Sequence, residues 1–558
     1  LQNKIFTVLV GGKAGEGVKK AAQVIAHLAM EHNKHVFQED DYQSLIKGGH
    51  NFSIVSISEQ RLFSAYKHAD LIISFDQRSV QKHSGDLLAG GLHFCDEADT
   101  DDDTFQKLPL AQLVKQFYPE HGNMSLASIA IFCAIVQIEE THMIRSISKE
   151  FKRNVEENIA FAREVYYRVQ ALEIKAAFTI GAQAKASGKL YTGNQLLALG
   201  AWAGGLNCYF SYPMTPASSI LHYLAIKSEA LGITVMHAES ELAAANMAIG
   251  AAFAGKKAAV GSSGGGFALM QEAFSLAGMV EAPLLCFLSS RPGPATGVST
   301  YTAQEDLYFA LNQGHGEFPR IVASPDSYER AFSLAAELLQ LAWESQSPAI
   351  LLTEKHLSES ATDVLLPIDE ISPPAAAEAP NTPYNRYELT LSGISPLKFP
   401  GSENCADEDV IKWNSNEHMP SGVRTDQEEP IMQMKEKRLR KQEAINRLSK
   451  KFTRVHHYGS GNHLVFAYGS TALELREAQK YHDFELVVPI YLDPFPEEEL
   501  QQYAGKQAIV VEHATSPSFA RLLKEKLHLN VVKNILRYDG RTFAPRDLAK
   551  AIAEVHNA

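Results

Sequence analysis

Five cysteines are all this chain has, and no two of them stand in a C-x-x-C pair. Cys95, Cys133, Cys208, Cys286 and Cys405 are too far apart in sequence to support an iron–sulfur cluster or a zinc site. Cys133, Cys208 and Cys286 lie in apolar runs and read as buried thiols, which points to a reducing, cytoplasmic setting. Long apolar runs are missing too: none reaches the roughly 18 to 20 residues that cross a bilayer. An excess of positive charge is absent, with 52 Lys and Arg against 65 Asp and Glu. The net charge of −13 argues against wholesale nucleic-acid binding, but a local basic patch for an anionic ligand stays open. No Gly-Lys-Ser/Thr occurs, so there is no P-loop. The opening residues alternate like a strand and lack a cleavage signal. The start at Leu1 rather than Met is read as a few residues missing ahead of it. No short internal repeat is found.

What is present is an α/β pattern in 558 residues, too many for one core. Residues 1–178 are expected to form a first α/β domain. It opens with the strand Ile5-Phe6-Thr7-Val8-Leu9-Val10 and the glycine turn Gly11-Gly12-Lys13-Ala14-Gly15-Glu16-Gly17. A helix from about Val18 to Glu31 follows, with a later helix from Ser125 through Val136. Residues 179–190 read as a small, polar linker. In residues 191–360, apolar strands at 234–236, 258–260, 284–288 and 349–352 alternate with helical stretches, the signature of a doubly wound parallel sheet. Residues 361–440 are expected to be an extended connection over the surface, rich in proline. The charged run Lys435-Glu436-Lys437-Arg438-Leu439-Arg440-Lys441 should open a helix to about Lys451, its charges solvated. Residues 441–558 form a last α/β domain, with strands at 464–468 and 508–511.

Several short stretches carry chemistry. Tyr212-Pro213-Met214-Thr215-Pro216 is stiffened by two prolines, which would hold the Thr215 hydroxyl in place. It reads also as a turn followed by an N-capped helix, with Ser218 or Ser219 near the cap. Glu239 and Glu241 precede Leu242-Ala243-Ala244-Ala245-Asn246-Met247-Ala248-Ile249-Gly250, a run apolar enough to be buried. A carboxylate at the mouth of a buried helix, if desolvated, can hold or share a proton near neutral pH. Alternatively, both acids simply favour a helix start. Gly261-Ser262-Ser263-Gly264-Gly265-Gly266, before a helix from Phe267, lets backbone amides approach an anion, or is only a tight turn. Arg291 follows an apolar strand, where open α/β sheets bind ligands; it would clamp a carboxylate or lock its own loop.

In this order and spacing, these stretches resemble the α subunit of 2-oxoacid:ferredoxin oxidoreductases, together with Gly193-Asn194, Arg291-Pro292-Gly293-Pro294-Ala295-Thr296-Gly297 and Gly314-His315-Gly316-Glu317-Phe318-Pro319-Arg320. The first domain resembles that family's γ subunit, through its glycine loop and Tyr42-Gln43-Ser44-Leu45-Ile46-Lys47-Gly48-Gly49-His50. The last third resembles the α subunit's second domain, through residues 437–441, Tyr468-Gly469-Ser470 and Asp493-Pro494-Phe495-Pro496. The resemblance implies a γ–α fusion: a γ-like domain on the coenzyme A side, a thiamine pyrimidine-binding domain and a transketolase C-terminal-like domain. It implies that Glu241 hydrogen-bonds the aminopyrimidine of thiamine diphosphate and so promotes loss of the thiazolium proton. It further implies that Thr215, Arg291 and Tyr212 bind substrate, and that Pro213, Ser263 and Gly264 border the cofactor. Gly12, Gly15, Lys47, Gly48 and Gly49 are the implied coenzyme A contacts.

The family often has Ser-Gly-Pro-Gly where this chain has Ser263-Gly264-Gly265-Gly266, and Arg-Gly-Gly-Pro-Ser-Thr-Gly where it has residues 291–297. Both departures fall by the implied substrate pocket. No Gly-Asp-Gly occurs, the motif these enzymes use for diphosphate and magnesium. Magnesium and a 4Fe-4S cluster are therefore expected on a β subunit, in a dimer of αβ heterodimers that passes electrons to ferredoxin. No metal site is expected here. The expected reaction converts a 2-oxoacid, foremost 2-oxoglutarate, to acyl-CoA and carbon dioxide; pyruvate and branched-chain acids are the alternatives. A non-catalytic assembly or coenzyme A-binding subunit is a second reading. A thiamine enzyme without ferredoxin is a third.

Overall fold

A computed structural model describes residues 5–43, 49–118, 123–174, 178–183, 188–366, 368, 371, 384–402, 405 and 409–555. The chain divides into two compact units, Leu1–Tyr191 with Ser360–Leu365 and Thr192–Glu359 with Leu366–Ala558. Among the described residues, no helix is long and apolar enough to cross a membrane.

The first unit is built on an eight-stranded sheet. Its order is Gln106–Leu108, Leu87–Asp96, Ala69–Ser74, Phe6–Lys13, His50–Ser58, His35–Asp41, Ala361–Val364, Lys189–Thr192. The first four strands pair in parallel; Phe6–Lys13, His50–Ser58, His35–Asp41 and Ala361–Val364 pair antiparallel. The helix Val18–Met30 covers the sheet with Val24, Ile25 and Leu28 fully buried. The helix Ser125–Val136 is buried on every side, which explains why its sequence is apolar throughout. The strand Ala361–Val364 corrects the expectation that the extended connection begins at residue 361. The Thr362 hydroxyl donates to the Val36 carbonyl at 2.8 Å, and Asp363 accepts from the Val36 amide at 3.0 Å and meets His35 Nδ1 at 2.7 Å. Long-range pairing of this kind leaves no local trace.

The second unit holds two sheets. The larger runs Tyr491–Asp493, Ile321–Ala323, Pro348–Glu354, Leu284–Ser290, Ala258–Ser262, Cys208–Ser211, Thr234–His237, parallel except for the first pair. Leu284–Ser290 and Pro348–Glu354 are buried along their whole length, as strands covered on both faces must be. The smaller sheet runs Val455–Tyr458, Glu485–Pro489, Leu464–Phe466, Gln507–Glu512, Asn530–Leu536, parallel after its first pair. Tyr491–Asp493 therefore leaves the C-terminal lobe to extend the larger sheet. The architecture is α/β with parallel-rich sheets, as the alternation of strands and helices indicates.

Two expectations about the connecting region fail. The helix starts earlier, spanning Glu428–Ser449, and its charged run is only partly solvated: Lys435 and Glu436 are exposed, but Lys437, Arg438 and Lys441 are buried. Lys437 and Lys441 are buried, and both ammonium groups reach the Glu281 carboxylate, at 2.7 and 2.6 Å. Nor does the described part of the connection lie wholly on the surface. Arg386 is fully buried and donates to Gln346 Oε1 and to the carbonyls of Val280 and Glu281. Charge runs look solvated because burying one ion costs several kcal/mol; here two cations and a carboxylate are buried together.

Candidate functional site

Four adjacent parallel strands end at Ser211, His237, Ser262 and Ser290. The next residues of each are the stretches singled out in the sequence. Side chains far apart in the chain thus gather on one crest of the sheet, the position where open α/β sheets hold ligands.

Glu241 is the first residue of the helix Glu241–Phe253, whose N-cap Ser240 accepts from the Ala243 amide at 3.2 Å. Its side chain is enclosed, with the residue 3% exposed, whereas Glu239 is exposed and accepts from the Ser240 hydroxyl at 3.0 Å. The Ser262 hydroxyl points at Glu241 Oε1 at 3.4 Å and lies 3.8 Å from Met214 Sδ. The space for the carboxylate exists because residue 266 is glycine: a Cβ there would stand 2.7 Å from Glu241 Cδ and overlap Ser262 Oγ. The helix is not buried on all faces. Ala244, Ala245 and Ala248 are buried, but Leu242 and Met247 are exposed, alongside Met236 and Leu269.

The helix after the glycine run begins at Gly264, not Phe267, so the three glycines form its first turn. Gly264 faces the Asp306 carboxylate, whose two oxygens would lie 2.7 and 2.8 Å from a Cβ. Gly265 faces the Ala295 carbonyl, and Gly266 faces Glu241. Ser263 Oγ is buried with no protein partner.

The Thr215–Pro216 peptide bond is cis. Arg291 Nη1 donates to the Thr215 carbonyl at 2.7 Å, which joins two of the expected substrate residues. Arg291 is 9% exposed, and its Nε has no protein partner. Burial pulls its guanidinium below the ordinary range, against the opposing pull of Asp306. Tyr212 is exposed and sets its ring edge-on to His237, 6.0 Å between centroids. Ser218 and Ser219 do open the helix Ser218–Leu231, but its N-cap is Ala217, which makes no side-chain cap; the Ser219 hydroxyl accepts from Asn194 Nδ2 at 2.7 Å. Asn194 also donates to the Pro216 carbonyl at 2.8 Å and so holds the proline loop.

In the first unit, Gly12 is turned inward: a Cβ would stand 2.7 Å from the Phe75 ring and 2.8 Å from Glu16. That is packing, not a ligand-facing position. Gly15, at φ 99°, borders a cavity of about 620 Å³ with Lys13, Lys19, Lys20, Tyr42 and Asn51. The Gly49 carbonyl accepts from the Ala14 amide at 2.9 Å. Lys47 and Gly48 lie outside the described residues. Among the described residues no cluster of His, Cys, Asp and Glu could hold a metal ion.

Sequence reasoning missed Asp306 and the holding role of Asn194. Asp306 sits in Thr302-Ala303-Gln304-Glu305-Asp306, a stretch without periodicity, and only the fold brings it under Gly264.

Two family models and several known proteins match this chain. Residues 199–442 match the family "Pyruvate flavodoxin/ferredoxin oxidoreductase, thiamine diP-bdg", and residues 7–167 match "Pyruvate ferredoxin/flavodoxin oxidoreductase". The 2-oxoacid:ferredoxin oxidoreductase subunit alpha of a Sulfolobus species is 29% identical over 98% of this chain and 96% of its own length. Subunit alpha of 2-oxoacid:ferredoxin oxidoreductase 1 from Sulfurisphaera tokodaii is 28% identical over 98% and 97%. The 2-oxoglutarate synthase subunit KorA of Archaeoglobus fulgidus is 34% identical over 32% of this chain and 52% of its own. A solved 2-oxoglutarate:ferredoxin oxidoreductase from Magnetococcus marinus, with 2-oxoglutarate, coenzyme A and succinyl-CoA bound, shares the fold at a TM-score of 0.88, with 24% identity over 99% of both chains. Over nearly its whole length the chain is thus similar to 2-oxoacid:ferredoxin oxidoreductase alpha subunits.

Proposed function

We propose that this chain supplies the pyrimidine half of a thiamine diphosphate site and the substrate-binding residues for oxidative decarboxylation of a 2-oxoacid, foremost 2-oxoglutarate. The products are the acyl-CoA and carbon dioxide, with two electrons leaving one at a time toward ferredoxin. The observation that carries this is the Glu241 carboxylate, enclosed at a helix start with room kept open for it by Gly266. The residues fit the cofactor: on the same crest as that carboxylate, Ser263 Oγ and Arg291 Nε are buried polar atoms without protein partners. When bound, thiamine diphosphate would supply a nucleophilic carbon and a cationic thiazolium ring able to take up the electron pair left by carbon dioxide.

The Glu241 carboxylate would hydrogen-bond the ring nitrogen of the aminopyrimidine. Its enclosure strengthens that bond by excluding water. Ser262 steadies Oε1. Thr215 and Arg291, tied through the Thr215 carbonyl, orient the substrate's oxo and carboxylate oxygens. Tyr212, Pro213 and Gly264 shape the border of the site. Preference for 2-oxoglutarate draws on the KorA relative's name. The exposed apolar residues Met236, Leu242, Met247 and Leu269 around Glu241 suit a covering β subunit, which would bring magnesium and the 4Fe-4S cluster. The 620 Å³ cavity beside Gly15, with its lysines, suits the phosphates of coenzyme A.

The test is Glu241→Gln in the chain co-produced with its β subunit. It should leave assembly intact and lower 2-oxoacid-dependent reduction of an artificial acceptor by roughly 100-fold or more. Full activity in this variant would refute the assignment. The same assay separates the alternative reading as a non-catalytic coenzyme A-binding subunit, in which Glu241→Gln changes nothing.

A further inference from the structure

Resting on the reading of the site just given, we propose that Asp306 is the counter-charge of Arg291 and sets how strongly the site favours a 2-oxoacid with a second carboxylate over one without. Asp306 borders both the strand end at Ser290 and the glycine turn at Gly264. Its Oδ2 accepts from the Ser290 hydroxyl at 2.6 Å, and Ser290 is the residue before Arg291. Both its oxygens face Gly264, where any side chain would collide with them. The carboxylate is thus fixed against the strand end that carries Arg291 and against the glycine turn that leads to Glu241.

The charges around it are few. The Arg291 charge, just after the strand Leu284–Ser290, favours the ionised form of Asp306, Glu305 next to it in the chain opposes it, and the Tyr468 phenol of the C-terminal lobe lies within its electrostatic reach. Glu305 is directed elsewhere, accepting from the Gly293 amide and from the Thr515 hydroxyl, both at 3.0 Å. Asp306 therefore decides how much of the Arg291 charge is left over. While it is ionised, the pair is near neutral and a second substrate carboxylate gains little. Once it is neutral, the guanidinium is uncompensated and a dianionic acid is favoured. Burial raises Asp306 above the ordinary aspartate range, so the switch between these conditions lies at higher pH than for an exposed aspartate.

The test uses the assembled α–β complex and two 2-oxoacids of similar length, one ending in a carboxylate and one in a methyl group. Calorimetry gives the ratio of their dissociation constants, and steady-state kinetics gives the ratio of their kcat/KM values. Asp306→Asn, which keeps an acceptor for Ser290, should shift both ratios toward the dicarboxylate by roughly threefold to thirtyfold, the range for one charge acting across roughly 8 to 10 Å of partly wet protein. The native ratio should move the same way as the pH falls, and Asp306→Asn should be flat. A purely structural residue would not produce that difference. Ser290→Ala, which removes a donor that favours the ionised form, should shift the ratio in the same direction by less. A ratio unchanged within twofold in both variants, or no binding of either acid, overturns the assignment. Binding with the expected shift but no turnover would uphold it while overturning the enzymatic reading of the site.

Discussion

Gly266→Ala and Gly265→Ala form a matched pair that tests the site at its tightest point. Both positions lie in the first turn of the helix Gly264–Leu269, so both changes gain about 1 kcal/mol of helix propensity. They differ in what the new methyl group meets. At 265 the neighbours are the Ala295 carbonyl at 3.7 Å and Met214 Sδ at 4.0 Å, ordinary contact distances. At 266 it would overlap Ser262 Oγ and stand 2.7 Å from Glu241 Cδ. The Glu241 side chain or the helix must then shift, and overpacking of this kind costs about 1 to 3 kcal/mol. Gly265→Ala should therefore be neutral or stabilised by up to about 1 kcal/mol, and Gly266→Ala should fall below it by roughly 1 to 3 kcal/mol. Activity should separate them further, because a displacement of about 1 Å at the group that would bond the aminopyrimidine costs on the order of 100-fold in rate. Denaturant midpoints and 2-oxoacid-dependent acceptor reduction by the α–β complex measure the two effects. Equal stability and equal activity in the pair would show that the carboxylate does not occupy the space described.

Three further outcomes follow from the same geometry. Glu281→Ala leaves two buried lysines without their carboxylate and should cost about 3 to 5 kcal/mol in denaturant titration, most of it recovered by the triple change Glu281→Leu, Lys437→Met, Lys441→Met. Glu354 and Glu512 are both pushed up to about 7 by burial, so each contributes stability that is full below about pH 4.5 and lost as pH rises toward 7. Thermal melts should therefore fall between pH 5 and 7, by on the order of 3 kcal/mol per carboxylate, and Glu354→Gln with Glu512→Gln should flatten the slope; a pH-independent melt of the native protein would contradict it. Asn194→Ala frees the Pro216 carbonyl and Ser219, and should raise KM for the 2-oxoacid several-fold with a smaller change in kcat, read from steady-state kinetics.

Much of this was legible in the residues. The strands of the larger sheet announce themselves as short apolar runs, and the proline loop, the glycine run and Arg291 each follow one. Because parallel strands end on the same edge, that pattern alone puts their next residues on a common crest. The glycine run was misjudged in one respect. Glycines break helices in isolation, yet here they make a first helical turn, in which the Asp306 and Glu241 carboxylates leave no room for a larger residue at 264 and 266.

Residue chemistry nominates both Glu239 and Glu241, and the resemblance points to Glu241; the packed structure encloses Glu241 beside Ser262 and leaves Glu239 in water. Tertiary structure alone also places Asp306 beneath Gly264, sinks Lys437 and Lys441 onto Glu281, and carries Ala361–Val364 back into the first sheet. Periodicity and motif spacing report a residue's relation to its near neighbours along the chain, so they determine elements and the ends of elements. Which charge is desolvated, and which charge faces it, depends on distances between segments hundreds of residues apart, and those exist only once the sheets are assembled.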